Sequence, residues 1–331
     1  MTSSRTALAV TALYVATGCS SDPGTPAFEV VAHDQNAALL SVWSSGANDV
    51  WTVGGDARDG NGPLVYHYDG ATWTKLDSTL RNTDLWWVFG FKNGPVFMSG
   101  AAGTIVEYQN GTFTKMTTPG TLIAFGMWGA EPNDLWAVGG NFGGGGFAWH
   151  YDGTAWTAST QVPADLASQG TIWKVNGRSS SDLWMTGTTG STLHWDGTTL
   201  ARTNAATDAS LFSVAAQGPR MIAAGGDFDG VLFENTDGTT WKSVLPAGGP
   251  VLRGVAAAGD QAVAVGAYGA ILSRSASGEW STVNPITEQN LHAAFISPDG
   301  DTWAVGGQFD QTPTTSGVLV HQGSALNGSF E

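Results

Sequence analysis

The chain has 331 residues, among them 46 glycines, 15 tryptophans and 14 phenylalanines, and only 12% are charged. That balance suits many short strands joined by tight turns and argues against a helical protein, which would carry more Lys and Glu. A net charge of −15 with no basic run repels phosphate-rich partners, so nucleic-acid binding is not expected.

The N-terminal segment reads as an export signal. Arg5 is its sole charge, Ala7 to Ala16 is mostly apolar, and Ala16-Thr17-Gly18-Cys19 ends the run with small residues before a cysteine. This segment resembles a bacterial lipoprotein signal, which implies cleavage before Cys19 and acylation of that residue. Cys19 is the only cysteine, so the body of the protein has no internal disulfide and no thiol for zinc or redox chemistry. Ser20 to Pro26 is polar and rich in turn formers, a flexible tether. The expected division is therefore a signal at 1–18, a lipidated cysteine and tether at 19–27, and one domain at 28–331. The expected location is the cell envelope, as an outer-membrane lipoprotein that touches the membrane through its anchor only. No later run is long and apolar enough to span a bilayer.

Taken in chain order, the domain opens with an isolated strand-like piece, Phe28-Glu29-Val30-Val31, and then repeats. Asp49-Val50-Trp51-Thr52-Val53-Gly54 returns as Asp134 to Gly139, Asp182 to Gly187 and Asp301 to Gly306, with weaker copies ending at Gly100, Gly225 and Gly266. The seven marker glycines 54, 100, 139, 187, 225, 266 and 306 stand 38 to 48 residues apart, 42 on average, which is the spacing of propeller blades. Each unit holds four strand-like pieces. An apolar run such as Leu39 to Trp43 comes first and the Trp-x-Val-Gly segment second; a third piece precedes an Asp-Gly turn (Asp69-Gly70, Asp152-Gly153, Asp196-Gly197) and a fourth follows it. The fold expected is all-β, a seven-bladed β-propeller with four antiparallel strands per blade. Phe28 to Val31 should be the outer strand of blade 7, because Phe28 precedes Val42 by the same 14 residues that separate Phe113 from Met127 and Trp241 from Val255. The tail Ala325-Leu326-Asn327-Gly328 is a poor strand by comparison.

The pattern Asp-Val/Leu-Trp-x-Val-Gly followed by Tyr/Trp-Asp-Gly-x-x-Trp covers nearly all of 28–331. It resembles exported bacterial propellers of the Asp-box and photosystem II assembly-factor-like kind. That resemblance implies functions ranging from glycosidases to pure binding scaffolds.

The recurring Trp51, Phe97, Trp136, Trp184, Ile222, Val263 and Trp303 occupy one position in every unit and read as packing between blades. His67, His150, His194 and His321 also recur once per blade, so they are spread around a ring and do not converge on a metal. Nucleophile motifs, phosphate loops and zinc signatures are missing, and no cofactor or metal is expected. Gly143 to Gly146 reads as a loop, and Asp227-Phe228-Asp229-Gly230 as an ordinary turn.

Two functional readings remain. One is a glycoside hydrolase of sialidase-like geometry, for which Arg58, Arg81 and Arg253 with Glu288 and Asp208 would have to gather in one pocket. The other is a non-catalytic, monomeric surface lipoprotein whose propeller face binds a protein or glycan. The distance from marker glycine to turn glycine is 16, 14 and 17 residues in blades 1, 3 and 7 against 10 to 13 elsewhere, so extra length falls on one face. After the marker glycine that face carries Asn141-Phe142, Asp227-Phe228 and Gln308-Phe309, with Tyr268 in blade 6 and Asp56 and Arg58 in blade 1. These nine residues are the expected ligand-binding set. Their rings either rim the channel mouth or tuck between blades.

Acylation of Cys19 should place the mature protein with membranes, since several acyl chains hold far more firmly than one. Cys19→Ala should move it to the soluble fraction on cell fractionation; equal membrane association of both forms would refute the anchor.

Overall fold

The computed structural model describes residues 26–330. The signal segment, Cys19 and the tether through residue 25 lie outside the described residues, and so does the lipid anchor. Seven four-stranded antiparallel sheets fill the chain from residue 29 to residue 322. Blade 1 is Leu39–Gly46, Asp49–Asp56, Pro63–Tyr68 and Trp73–Lys75, from the axis outwards. The inner strands of the next five blades are Leu85–Gly90, Ile123–Glu131, Ile172–Ser179, Leu211–Gln217 and Leu252–Ala258. Blade 7 takes Leu291–Ile296, Thr302–Gln308 and Thr315–Gln322 from the end of the chain and Glu29–Gln35 from its beginning. Neighbouring inner strands touch all the way round, and Leu39–Gly46 meets Leu291–Ile296 to close the ring.

The closing strand lies where the sequence put it. Glu29 pairs with His321 and Val30 with Val320, and the strand runs on to pair Gln35 with Gly317. Phe28 is buried between blades 6 and 7. The C-terminal tail caps a different blade: the Tyr68 hydroxyl donates to the Asn327 carbonyl at 3.0 Å and accepts from its amide at 2.9 Å, while Phe330 packs on Tyr66 and Trp73.

The marker glycines are explained by close approach. A Cβ on Gly54 would stand 2.2 Å from the carbonyl oxygen of Ala38, and the six other markers would meet the equivalent carbonyls of Asp84, Ile123, Thr171, Ser210, Val251 and Asn290 at 1.8 to 2.5 Å. In six blades that same oxygen accepts the amide of the residue after the glycine, as Ala38 does from Gly55 at 2.9 Å. The carbonyl belongs to the residue at or just before the start of the inner strand, so the glycine ties the top of each inner strand to the second strand.

The Asp-x-Trp motif and the recurring histidine form one unit. His67 donates through Nε2 to Asp49 Oδ1 at 2.9 Å, Trp51 donates its indole N–H to the same oxygen at 2.7 Å, and the two rings stack at 4.1 Å. Asp134, Trp136 and His150 repeat the His–Asp bond and ring contact in blade 3, Asp182, Trp184 and His194 repeat the whole set in blade 4, and Trp303 and His321 stack beside Asp301 in blade 7. Burial alone would raise Asp182, but hydrogen bonds from Arg178 and His194 outweigh it and hold its carboxyl below the usual range. In blades 1, 3, 4 and 5 the third-to-fourth strand turn is set by its Asp, which accepts two backbone amides: Asp69 from Ala71 and Thr72, Asp152 from Thr154 and Ala155, Asp196 from Thr198 and Thr199, Asp237 from Thr239 and Thr240, all at 2.7 to 2.9 Å.

Two features depart from expectation. Gly144 to Gly146 are not a loop but the start of a strand, Gly144–Tyr151. They are glycines because the helix Ala164–Gln169, which the sequence reading did not foresee, lies against them: a Cβ on Gly144 or Gly146 would stand 2.6 and 2.7 Å from the carbonyls of Ser168 and Leu166. The extra length of blade 3 is therefore longer strand around a tight turn. In blades 1 and 7 it is true loop, at 57–62 and 309–314.

Gly306→Ala should destabilise the protein by roughly 1–3 kcal/mol or more, because the added carbon meets backbone that cannot yield. Gly143→Ala, where an added Cβ meets nothing within 4 Å, should leave the thermal midpoint unchanged in the same melting experiment.

Candidate functional site

Every inner strand carries a β-bulge one residue below its tied end. The register shifts between Leu39 and Ser41, Leu85 and Trp87, Ala124 and Gly126, Ile172 and Lys174, Leu211 and Ser213, Leu252 and Gly254, and Leu291 and Ala293. The extra residue is left out of the ladder and re-aimed. The seven so released are Leu40, Trp86, Phe125, Trp173, Phe212, Arg253 and His292, one per blade.

These residues meet at the axis. Ring centroids of Trp86 and Phe125 lie 5.2 Å apart, Phe125 and Trp173 4.9 Å, and Trp173 and Phe212 5.6 Å; the Arg253 guanidinium lies over Phe212 at 4.3 Å. His292 of blade 7 lies 5.6 Å from Trp86 of blade 2, a contact between blades that are not neighbours, and its Nδ1 bonds the Leu40 carbonyl at 2.5 Å. The channel mouth is thus closed by an aromatic floor. Sequence reasoning missed it because the residues share no type; their shared signal is position, one turn of register below the start of each inner strand.

Of the expected binding residues, two join this floor. Phe142 sits over Phe125, Trp173 and Trp86 at 5.6 to 6.3 Å while remaining 74% exposed, and Phe309 packs edge-on against His292 at 4.9 Å. Phe228 and Tyr268 do not: they stand on the same face but project into solvent, 96% and 80% exposed. Tyr268 has a φ of 55°, and Ala102 and Thr189 repeat that geometry in blades 2 and 4, so the conformation belongs to the turn. Asn141, Asp227 and Gln308 are exposed beside the mouth; the Asn141 carbonyl accepts from Thr171 and the Asp227 carboxylate accepts the Ser210 amide at 3.2 Å.

Asp56 and Arg58 play another part. Asp56 is buried, accepts the Arg58 amide at 2.6 Å and pairs with the Arg58 guanidinium, which also reaches Asp84 at 2.8 Å. They pin the long blade 1 loop to blade 2, and the Asp56 carboxylate has no surface to offer a ligand. The arginines required for a sialidase-like pocket are engaged separately: Arg81 pairs with Asp77, Arg58 with Asp56 and Asp84, and Arg253 lies at the axis on Phe212. Among the described residues no group of three His, Cys, Asp or Glu side chains is placed to hold a metal ion.

Beneath the floor lies a buried cation. Lys174 is 4% exposed; its Nζ donates to the Phe125 carbonyl at 2.6 Å and rests over the Trp87 ring at 4.0 Å, again across the axis from blade 4 to blade 2. Burial pushes its pKa down to about 7, and burial with the nearby Lys174 charge pushes His292 to about 3. The indole N–H groups of Trp86 and Trp173 are buried in the same layer without a partner. The axis is thus rich in donors.

This gives a pH dependence with a definite sign. Above about pH 7 the folded protein sheds the Lys174 proton while the unfolded chain keeps it to about 10.5, so stability rises with pH across that window. Lys174→Met should be at least as stable at neutral pH and should flatten the rise between pH 7 and 10 in urea titrations. An unchanged slope would show that Lys174 is not the group responsible.

No protein-family model matches the chain, and none of the curated proteins does. Among solved structures it is similar to YCF48 from Cyanidioschyzon merolae, with a TM-score of 0.67 at 16% identity over 89% of this chain and 98% of that one. It is also similar to YCF48 bound to D1 peptide, with 0.67 at 15% identity over 93% and 99%. The WD40 β-propeller domain of Doa1 gives 0.65 at 10% identity over 88% and 96%. At such identities the likeness shows one thing, the β-propeller fold.

Proposed function

We propose that the protein is a non-catalytic binding scaffold, anchored in the cell envelope through Cys19, that captures a segment of another protein over the axial mouth. The observation that carries this reading is the placement of apolar surface. Large apolar side chains exposed among the described residues are Val30, Phe142, Phe228 and Tyr268, and the three aromatics all stand on the face that holds the aromatic floor. Exposed aromatics grouped on one face of a soluble domain mark recognition, since they offer large apolar area with few rotatable bonds. The long loops of the adjoining blades 7 and 1 rise on the same face.

A protein segment is favoured over a glycan because the rings meet edge-on and so form an uneven apolar surface that suits side chains. A similar solved structure, YCF48 bound to D1 peptide, shows the fold used for peptide capture in another protein. The residues for the role are Phe142 and Phe309 over the floor, Phe228 and Tyr268 as flanking contacts, and Asn141, Asp227 and Gln308 as rim hydrogen-bonding groups.

A photoreactive phenylalanine analogue at position 142 should crosslink one protein of the native envelope, whereas the same analogue at position 110, on the opposite face, should not. Phe142→Ala should weaken recovery of that partner by about 1–2 kcal/mol with little change in melting temperature. Equal crosslinking from both faces, or a protease-resistant glycan adduct at 142, would overturn the reading.

A further inference from the structure

Arg253 differs from every other arginine among the described residues. Arg58, Arg81, Arg178, Arg202, Arg220 and Arg274 each form an ion pair with Asp or Glu. Arg253 makes no ion pair among the described residues; it is half-buried at the axial mouth with its guanidinium over the Phe212 ring. Asp227 and Asp310 are near enough to act on its charge but do not reach it.

We propose that Arg253 anchors a carboxylate of the captured segment, supplied by a free chain end or by an Asp or Glu side chain. This rests on the mouth being the capture site. Lying over Phe212, the guanidinium makes no hydrogen bond of its own among the described residues, so its N–H donors remain for a planar two-oxygen acceptor. The surroundings favour the same charge: the unpartnered indole N–H groups of Trp86 and Trp173 and the Lys174 ammonium lie in the adjoining axial layers, and no carboxylate among the described residues pairs with Lys174, Arg253 or His292. Phe142 and Phe309, over the same floor, would take the apolar neighbours of the carboxylate. Asp227 and Asp310 compete with the ligand for Arg253, so they lower affinity and sharpen selectivity for a segment that also brings apolar contact.

The test uses small probes on the isotopically labelled mature protein and follows the Arg253 Nε–H and the Trp86 and Trp173 indole resonances. N-acetylphenylalanine presents a chain-end carboxylate, N-acetylglutamate α-amide presents a side-chain carboxylate, and N-acetylphenylalanine amide presents the ring alone. One or both carboxylates should bind about tenfold tighter than the amide, the better one naming the source. Arg253→Gln should erase that advantage, Arg253→Lys should restore part of it, and Asp310→Asn should strengthen carboxylate binding. Equal binding of acid and amide, no response at these resonances, or indifference to Arg253→Gln would overturn the inference. Crosslinking at position 142 that survives Arg253→Gln undiminished would fell the carboxylate anchor and leave the capture face standing.

Discussion

The rest of the molecule depends on one close approach, repeated seven times, between a glycine near the end of each second strand and a carbonyl at the head of each inner strand. Any side chain at Gly54, Gly100, Gly139, Gly187, Gly225, Gly266 or Gly306 would drive into that oxygen. With the side chain gone, the carbonyl accepts the following amide and the inner strand is fixed at its top. The strand below must then regain register with its partner, and it does so by bulging out one residue. Sterics at a glycine therefore decide which residue faces the axis.

That linkage separates frame from function. The frame is repeated: Asp–His–Trp units in blades 1, 3, 4 and 7 tie second and third strands together, Asp side chains set the outer turns of blades 1, 3, 4 and 5, and Glu29–Gln35 closes the ring. The bulged positions are under no such constraint, because their side chains leave the ladder. They hold Leu, Trp, Phe, Trp, Phe, Arg and His. A scaffold built this way can change what it presents at the axis without touching the interactions that hold the blades.

The same separation explains what the sequence disclosed. Marker glycines, turn aspartates and the Asp-x-Trp motif recur because backbone geometry demands them, so blade number, strand count and ring closure were all legible. The unpaired strand at Phe28 to Val31 was legible from its offset to Val42. What was not legible depended on partners distant in sequence. Gly144 to Gly146 resemble a loop until the helix Ala164–Gln169 is seen against them, and Asp56 and Arg58 resemble surface recognition residues until Asp84 is seen between blades. Phe142, Phe228 and Phe309 share an offset from their marker glycines, yet Phe142 and Phe309 lean over the floor while Phe228, like Tyr268, stands clear of it.

The aromatic floor also shapes the electrostatics of the mouth. An acidic protein repels anionic partners at long range, but salt screens that field beyond about 10 Å, and contact energies are set by the groups within reach. Within reach at the axis are cations and indole N–H groups: Arg253 on Phe212, Lys174 on Trp87, Trp86 and Trp173. Lys174 and the two indole N–H groups are buried, which raises the cost of leaving those donors unpaired and raises the gain when an acceptor arrives. Lys174 meets that cost in isolation by a depressed pKa and a single carbonyl bond. Arg253 cannot release its proton, so its route to full satisfaction is an acceptor from outside. The contrast between a long-range field of one sign and a contact site of the other makes the mouth selective: a ligand must bring enough apolar surface to reach the floor before its charge counts in its favour.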